Sequence, residues 1–271
     1  MHRYQHDDKI LSNLIFQDIN TVKQPVVVIG IGEMGSVFAR GFLRSGHPVF
    51  PVTRETDINE LATHITDPAL VLIAVGEAAL QDTLNSIPGT WHDRLVLLQN
   101  ELLPRDWQNY PKATVISVWF EKKKGQDSKV ILPSPAYGRL ASLLESSMST
   151  IDIPVRVLES DQDLLFELVV KNLYILTSNI AGLKVGGTVG ELWEKHNDVA
   201  MGVVNDVIKL QEALTGECFN HQELIDAMVN AFNGDPDHKC MGRSAPARLE
   251  RALTLAEENN LDLAYLKSVS A

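Results

Sequence analysis

The feature that most constrains this chain is the junction over residues 25–46. An apolar β-branched run, Pro25-Val26-Val27-Val28-Ile29, leads straight into Gly30-Ile31-Gly32-Glu33-Met34-Gly35, and an amphipathic helical pattern over residues 34–45 follows. Each glycine in such a strand–turn–helix has its own task. Gly30 makes the tight turn out of the strand, Gly32 lets a pyrophosphate reach the backbone, and Gly35 lets the helix pack closely on the sheet. The helix start, over Ile31, Glu33 and Met34, offers unpaired N–H groups and a positive dipole end to phosphates. Gly46 stands where that helix should stop. The junction predicts a dinucleotide site.

Further strands are expected at 49–52, 70–75, 95–98, 114–118 and 155–158, with helical stretches between several of them, notably 78–86. Strands alternating with helices mean a parallel sheet covered on both faces. After Leu158 the pattern changes. Ser160-Asp161-Gln162-Asp163 resembles a capping box with Asp in place of Glu, and a long apolar-periodic helix runs to about Leu183. Gly186-Gly187 breaks the chain before helices over 189–214 and 222–232 and a last pair beginning near Pro246, a residue suited to a first helical turn. The expected fold is α/β: an N-terminal Rossmann-like, doubly wound, mostly parallel sheet followed by an all-helical C-terminal domain. The division is 1–158 for dinucleotide binding, with 1–24 a polar lead-in, and 159–271 for substrate binding and dimerisation.

Composition removes other classes of function. The 271 residues are 45% hydrophobic and 22% charged, with a formal net charge of −11, which argues against disorder and against a nucleic-acid surface. The one basic cluster, Lys122-Lys123-Lys124, reads as a solvated turn. Two cysteines, Cys218 and Cys240, are too few for a disulfide framework and read as free thiols. The N-terminus lacks the apolar core of a signal peptide, and no uninterrupted apolar run reaches the roughly 18 residues of a membrane span. A soluble, cytoplasmic protein is expected, acting on a small molecule and not on nucleic acid or membrane.

The end of the second strand bears on the cofactor. An NAD site usually carries an acid there, roughly 20 residues after the glycines. Here the strand ends Val52-Thr53-Arg54, with no acid before Arg54. Thr53 and Arg54 suit a 2′-phosphate, so NADP(H) is expected over NAD(H), although Glu55 could still reach the ribose. Val75 and Gly76 after the third strand, and Asn100 after the fourth, complete the expected cofactor contacts.

Chemistry must come from the second half. Lys171 lies inside an apolar run, and Lys171, Ile175 and Asn179 share one helical face over about 12 Å of rise. A lysine on a half-buried face can donate a hydrogen bond and gives up its proton more easily. It can equally lay its stem along apolar surface with its ammonium in water.

These residues resemble the ketopantoate reductase (2-dehydropantoate 2-reductase) family over nearly everything from Val26 onward. Val96-Leu97-Leu98-Gln99-Asn100 looks like that family's strand ending in Gln-Asn-Gly. Lys171 and Asn179 match the first and last of its lysine and two asparagines spaced four apart, and Thr188-Val189-Gly190-Glu191-Leu192 looks like its Asn-Gly-Glu-Leu segment. There are departures. Ile175 replaces the middle asparagine, Glu101 stands for the glycine, and Gly76-Glu77 falls where a lysine is frequent. The family's C-terminal serine and glutamate have no secure match, the glutamate falling near Ser244.

The resemblance implies hydride transfer from NADPH to the carbonyl of a small 2-oxo acid. Lys171 is then the catalytic proton donor, Asn179 positions substrate or lysine, Asn100 holds the nicotinamide end, and Arg243 with Ser244 are the nearest candidates for the substrate carboxylate. Two alternatives stay open: a non-catalytic NADP(H)-binding protein, and a 3-hydroxy acid dehydrogenase or pyrroline carboxylate reductase-like enzyme. The former class of dehydrogenase usually has asparagine three residues after the lysine, where this chain has Tyr174. No metal site is expected, His221, His238 and Cys240 reading as surface loop residues and Asp235-Pro236-Asp237 as a turn. Trp193 and His196 fall on an amphipathic helix. The stripe Val199, Val203, Ile208 and Leu210 is either core or the surface of a homodimer formed through the helical domain.

Overall fold

A computed structural model describes residues 22–270. Its strands are β1 (Val26–Ile29), β2 (Val49–Val52), β3 (Leu70–Ile73), β4 (Leu95–Leu97), β5 (Thr114–Ile116), β6 (Phe120–Glu121), β7 (Lys129–Val130), β8 (Ser134–Tyr137) and β9 (Val155–Val157). Seven of them form one sheet in the order β2-β1-β3-β4-β5-β8-β9, while β6 and β7 pair as a separate hairpin. The first five strands of that order are parallel; β8 runs antiparallel to β5, and β9 parallel to β8.

The apolar strands β1 (VVVI) and β3 (LVLI) are buried throughout, as parallel strands covered on both faces must be. Strand alternation divides their side chains between two cores. Val26 and Val28 join Phe38, Phe42 and Met148 on one face, and Val27 and Ile29 join Leu84, Trp91 and Leu97 on the other. Pro51 is tolerated in β2 because that strand is the sheet edge. Helices α1 (Glu33–Arg44), α2 (Ile58–His64), α3 (Leu80–Ser86) and α4 (Ala141–Ser149) belong to this half. The chain leaves β1 toward β2 and returns to β3 on the other side. The strand order therefore reverses at the carboxyl ends of β1 and β3, where open sheets of this kind hold ligands.

The C-terminal domain is helical: α5 (Asp161–Val185), α6 (Val189–Lys195), α7 (Asn197–Thr215), α8 (His221–Gly234), α9 (Ala245–Glu258) and α10 (Ala264–Ser270). The Ser160 hydroxyl starts α5 by accepting from the Asp163 N–H at 3.0 Å. By length and a mean hydropathy of 1.3, α5 could cross a membrane, but 78% of that window is buried in the protein, as for the central helix of a bundle. Helices α7, α8 and α9 pack around it.

Several expectations are corrected. Strand β8 was hidden by Pro133 and Pro135; the latter uses only its carbonyl, which accepts from Ser117 N–H at 2.9 Å. The β6–β7 hairpin and α2 were also not anticipated, although Asp57 caps α2 by accepting from Asn59 and Glu60 N–H. The helix expected over 189–214 breaks at His196 into α6 and α7. Val199, Val203, Ile208 and Leu210 are core, none more than 7% exposed. Cys240 is buried and His238 half-buried, so neither is a surface loop residue; His221 is exposed and its Nε2 lies 2.9 Å from Glu212.

Candidate active site

At the reversal point Gly30 leaves β1 with φ 90°. A Cβ there would lie 2.7 Å from the carbonyl oxygen of Ala74, just past β3, so only glycine fits. A Cβ on Gly35 would lie 2.0 Å from the Gly30 carbonyl oxygen, which ties α1 against the turn. Gly32 differs: nothing lies within 4 Å of its would-be Cβ. It is the N-cap of α1 and makes no side-chain cap, so the first N–H groups of the helix are left for a ligand. Open space and unpaired donors at one helix start are what a pyrophosphate requires.

A cleft of about 670 Å³ runs from this turn, lined by Gly30, Ile31, Gly32, Thr53, Arg54, Val75 and Gly76 among others. Glu55 does not line it; its N–H is bonded to the Thr53 hydroxyl at 3.3 Å. Arg54 is exposed and, among the described residues, has no ion-pair partner. Glu33 does not line the cleft; its carboxylate lies 4.0 Å from the Lys122 ammonium.

A second cavity of about 370 Å³ shares Val75 and Gly76 with the first and is lined also by Met34, Asn100, Lys171 and Ile175. The β6–β7 hairpin roofs it with Phe120, Glu121 and Lys122. Lys123 and Lys124 are exposed, as a solvated turn requires, but Lys122 is half-buried against the cavity, with its ammonium bonded to the Gln126 carbonyl. The structure thus places the glycine turn on one side of Val75 and Gly76, and Asn100 with Lys171 on the other.

Lys171 is 8% exposed, with its Nζ 4.0 Å from the Trp119 ring centroid and 5.5 Å from that of Tyr174. Among the described residues no carboxylate forms an ion pair with it. Burial, helped by the positive charge of Arg248, brings its pKa down to about 7. The aromatic faces offset part of the cost when the ammonium forms. An amine poised near neutrality, facing a cavity, is equipped to hold or release a proton. Tyr174 and His238 share the wall. The Tyr174 hydroxyl is buried without a hydrogen-bond partner, and burial pushes it up from its ordinary value. Burial pushes His238 down, against the pull of Glu121 and Asp235.

Asn179 does not line the cavity. Its amide nitrogen donates to the Ile175 carbonyl at 2.9 Å, and its oxygen accepts from Arg248 Nη1 at 3.1 Å. Arg243 and Ser244 are exposed and line neither space. The buried cation of this segment is Arg248, one turn beyond Ser244. Its guanidinium bonds Glu101 and Glu77 as well as Asn179. Burial works to raise the Glu77 carboxyl, but its own backbone N–H, the Asn100 amide and Arg248 hold it below its usual value. Periodicity could have found Arg248, because Ala245, Arg248, Leu249, Ala252 and Ala256 share the buried face of α9. Tyr174, three residues after Lys171, shares its helical face and was open to the same argument; Trp119 and His238 carried no such signal.

No protein-family model matches the chain, and no curated protein matches it in sequence. Its structure does match solved structures. A dimeric ketopantoate reductase from Staphylococcus aureus aligns with TM-score 0.62 and 16% identity over 90% of this chain and 96% of that one. A 2-dehydropantoate 2-reductase from Geobacter metallireducens gives TM-score 0.63 and 12% identity over 90% and 97%. A D-mandelate dehydrogenase solved with NADH and anilino(oxo)acetate gives 0.61 and 13% over 90% and 95%. By fold, the chain is a Rossmann-like sheet domain joined to a helical domain in the arrangement of the ketopantoate reductases.

Proposed function

We propose that this protein is an NADPH-dependent reductase that delivers a hydride to the carbonyl carbon of a small 2-oxo acid, ketopantoate or a close relative of it. The observation that carries the reading is Lys171: a buried lysine with a near-neutral pKa, lining a cavity that shares its Val75–Gly76 wall with the cleft at the glycine turn. Residues 1–158 would hold the dinucleotide and residues 159–271 the substrate.

The residues present fit a dinucleotide. Gly32 and the uncapped start of α1 would receive the pyrophosphate, and Thr53 with Arg54 the 2′-phosphate. Val75, Gly76 and Asn100 would flank the nicotinamide end. When bound, the cofactor supplies the hydride. Lys171, in its ammonium form, hydrogen-bonds the substrate oxygen and gives up its proton as negative charge grows there. The aromatic walls of Trp119 and Tyr174 exclude water around the amine. Lys122, at the hairpin, is a nearer cation for the substrate carboxylate than Arg243.

Purified protein is to be offered ketopantoate with NADPH, and with NADH in parallel. Consumption that prefers NADPH, lost in Lys171→Ala with cofactor affinity kept, supports the reading. Unchanged turnover in that variant removes Lys171 from the chemistry. The second reading, a non-catalytic NADP(H)-binding protein, is favoured by the engagement of Asn179 with Arg248 and not with the cavity. Tight NADPH binding without consumption across a panel of oxo acids would select it. A cytoplasmic homodimer is the expected form, following the dimeric S. aureus reductase, and sedimentation would test the assembly.

A further inference from the structure

One side chain ties both halves of the molecule together beside the cavity. Arg248, in the first turn of α9, has 10% side-chain exposure. Its Nε donates to Glu101 Oε1 at 2.8 Å, its Nη2 to Glu77 Oε1 at 3.2 Å and its Nη1 to Asn179 Oδ1 at 3.1 Å. All three nitrogens are engaged, with partners from the loop after β4, the turn after β3 and helix α5. Glu77 also accepts from Asn100 Nδ2 at 3.1 Å, and both residues line the Lys171 cavity. Glu101 is held in the left-handed region, φ 62°, a conformation that strains a side-chain-bearing residue and that glycine adopts freely. The carboxylate is thus maintained at a position whose backbone favours glycine, and its partners are Arg248 and Arg251.

We propose that Arg248 is a positioning residue of the site: it clamps the Glu77–Asn100 wall of the cavity to Asn179 and so fixes a positive charge about two turns along α5 from Lys171. For its consequence in catalysis the inference rests on the reductase reading; the clamp and the charge are properties of the chain itself. An arginine suits both tasks, since its planar fork serves several acceptors at once and it does not lose its proton in the working range. The other charged or titratable groups facing Lys171 are Glu77 from the turn after β3, Glu121 and Lys122 from the hairpin, His238 from the segment before α9 and Tyr174 from α5 itself. Asp235 stands behind His238, 3.7 Å from its Nδ1. Among all these, Arg248 is the charge that weighs on Lys171, second to burial.

The test is a direct titration of Lys171: the pH dependence of its acetylation by acetic anhydride, read by mass spectrometry on its peptide, needs no turnover. Arg248→Lys keeps the charge and loses the fork; Arg248→Gln loses both. Because a positive charge favours the neutral amine, Arg248→Gln should raise the Lys171 midpoint, so that acetylation at pH 7 falls several-fold, while Arg248→Lys leaves it in place. If Arg248→Gln does not fold, Glu101→Gln/Arg248→Gln is compared with Glu101→Gln alone, so that the lost carboxylate cancels and the charge of Arg248 is read by difference. A Lys171 titration unmoved in the folded, charge-lost variant overturns the proposal, as does an equal shift in the lysine and glutamine variants. Where the wild type turns over, the pH limb of kcat should move with the midpoint in Arg248→Gln only, and KM should rise in both variants. A wild type that titrates as expected but never consumes NADPH defeats the reductase reading and leaves the Arg248 result standing.

Discussion

Arg248 donates to Glu101 across 147 residues of sequence, at 2.8 Å, joining the first turn of α9 to the loop after β4. Taken one at a time, Glu101 and Glu77 are departures from the family that the sequence resembles. In the structure both acids have the same partner, and with Asn100, Asn179 and Arg251 they form one network between the sheet and the helices.

Glu101→Gly tests what that network contributes. The substitution relieves a left-handed backbone, worth about 1 kcal/mol, but strips Arg248 and Arg251 of a shared carboxylate. Truncating one partner of a buried pair costs up to about 3–5 kcal/mol, and Arg248 keeps Glu77 and Asn179, so a net loss of about 1–3 kcal/mol is expected in urea unfolding. A variant as stable as the wild type would mean the ion pairs contribute nothing.

Two glycines of the turn should respond in opposite ways. Gly35→Ala forces a Cβ to within 2.0 Å of a backbone oxygen and should destabilise the fold by about 1–3 kcal/mol or more. Gly32→Ala meets open space and should leave the melting temperature nearly unchanged, while weakening NADPH binding about tenfold, or about 1.4 kcal/mol. Calorimetric titration and thermal melts separate the two. Undiminished binding by Gly32→Ala would remove the glycine loop from the cofactor site.

Lys171 links stability to pH. Its folded pKa of about 7 lies below the ordinary 10.5, so between these values the unfolded chain binds more protons than the folded one. Stability from this group therefore rises with pH across that window, by up to about 1.4 kcal/mol per unit, and the full penalty is present below pH 7. Subtracting the profile of Lys171→Met isolates the effect. A difference profile flat from pH 7 to pH 10 would show that the amine is not desolvated.

Cofactor choice should depend on Arg54, the exposed cation in the cleft. Arg54→Ala is expected to lower NADPH affinity about tenfold, or about 1.4 kcal/mol, and to leave NADH affinity unchanged. Equal losses for both dinucleotides would assign Arg54 to the shared part of the cofactor.

The thiols should differ in reactivity. Cys218 is exposed, whereas Cys240 is buried and burial pushes its pKa up to about 11. In the folded protein at pH 7.5 a maleimide should label Cys218 alone, with Cys240 reacting only on unfolding. Mass spectrometry before and after adding denaturant shows this directly.

By itself the sequence determined the strand–glycine–helix junction, the run of parallel strands, the change to helices after Leu158 and the place of Lys171 on an apolar stripe. These are local matters: a steric demand for glycine at a tight turn, the two-residue alternation of a strand, the near-four-residue period of a helix. Tertiary structure alone decided the rest. It made β8 a strand despite Pro135, because the sheet asks only for that residue's carbonyl. The roof over Lys171 came from a hairpin whose lysines resemble any exposed turn. The buried cation became Arg248, and Arg243 was left in solvent, since Glu77, Glu101 and Asn179 converge there from three distant segments. No period in the chain records such a meeting, because burying a charge is permitted only where partners from elsewhere in the fold complete its hydrogen bonds.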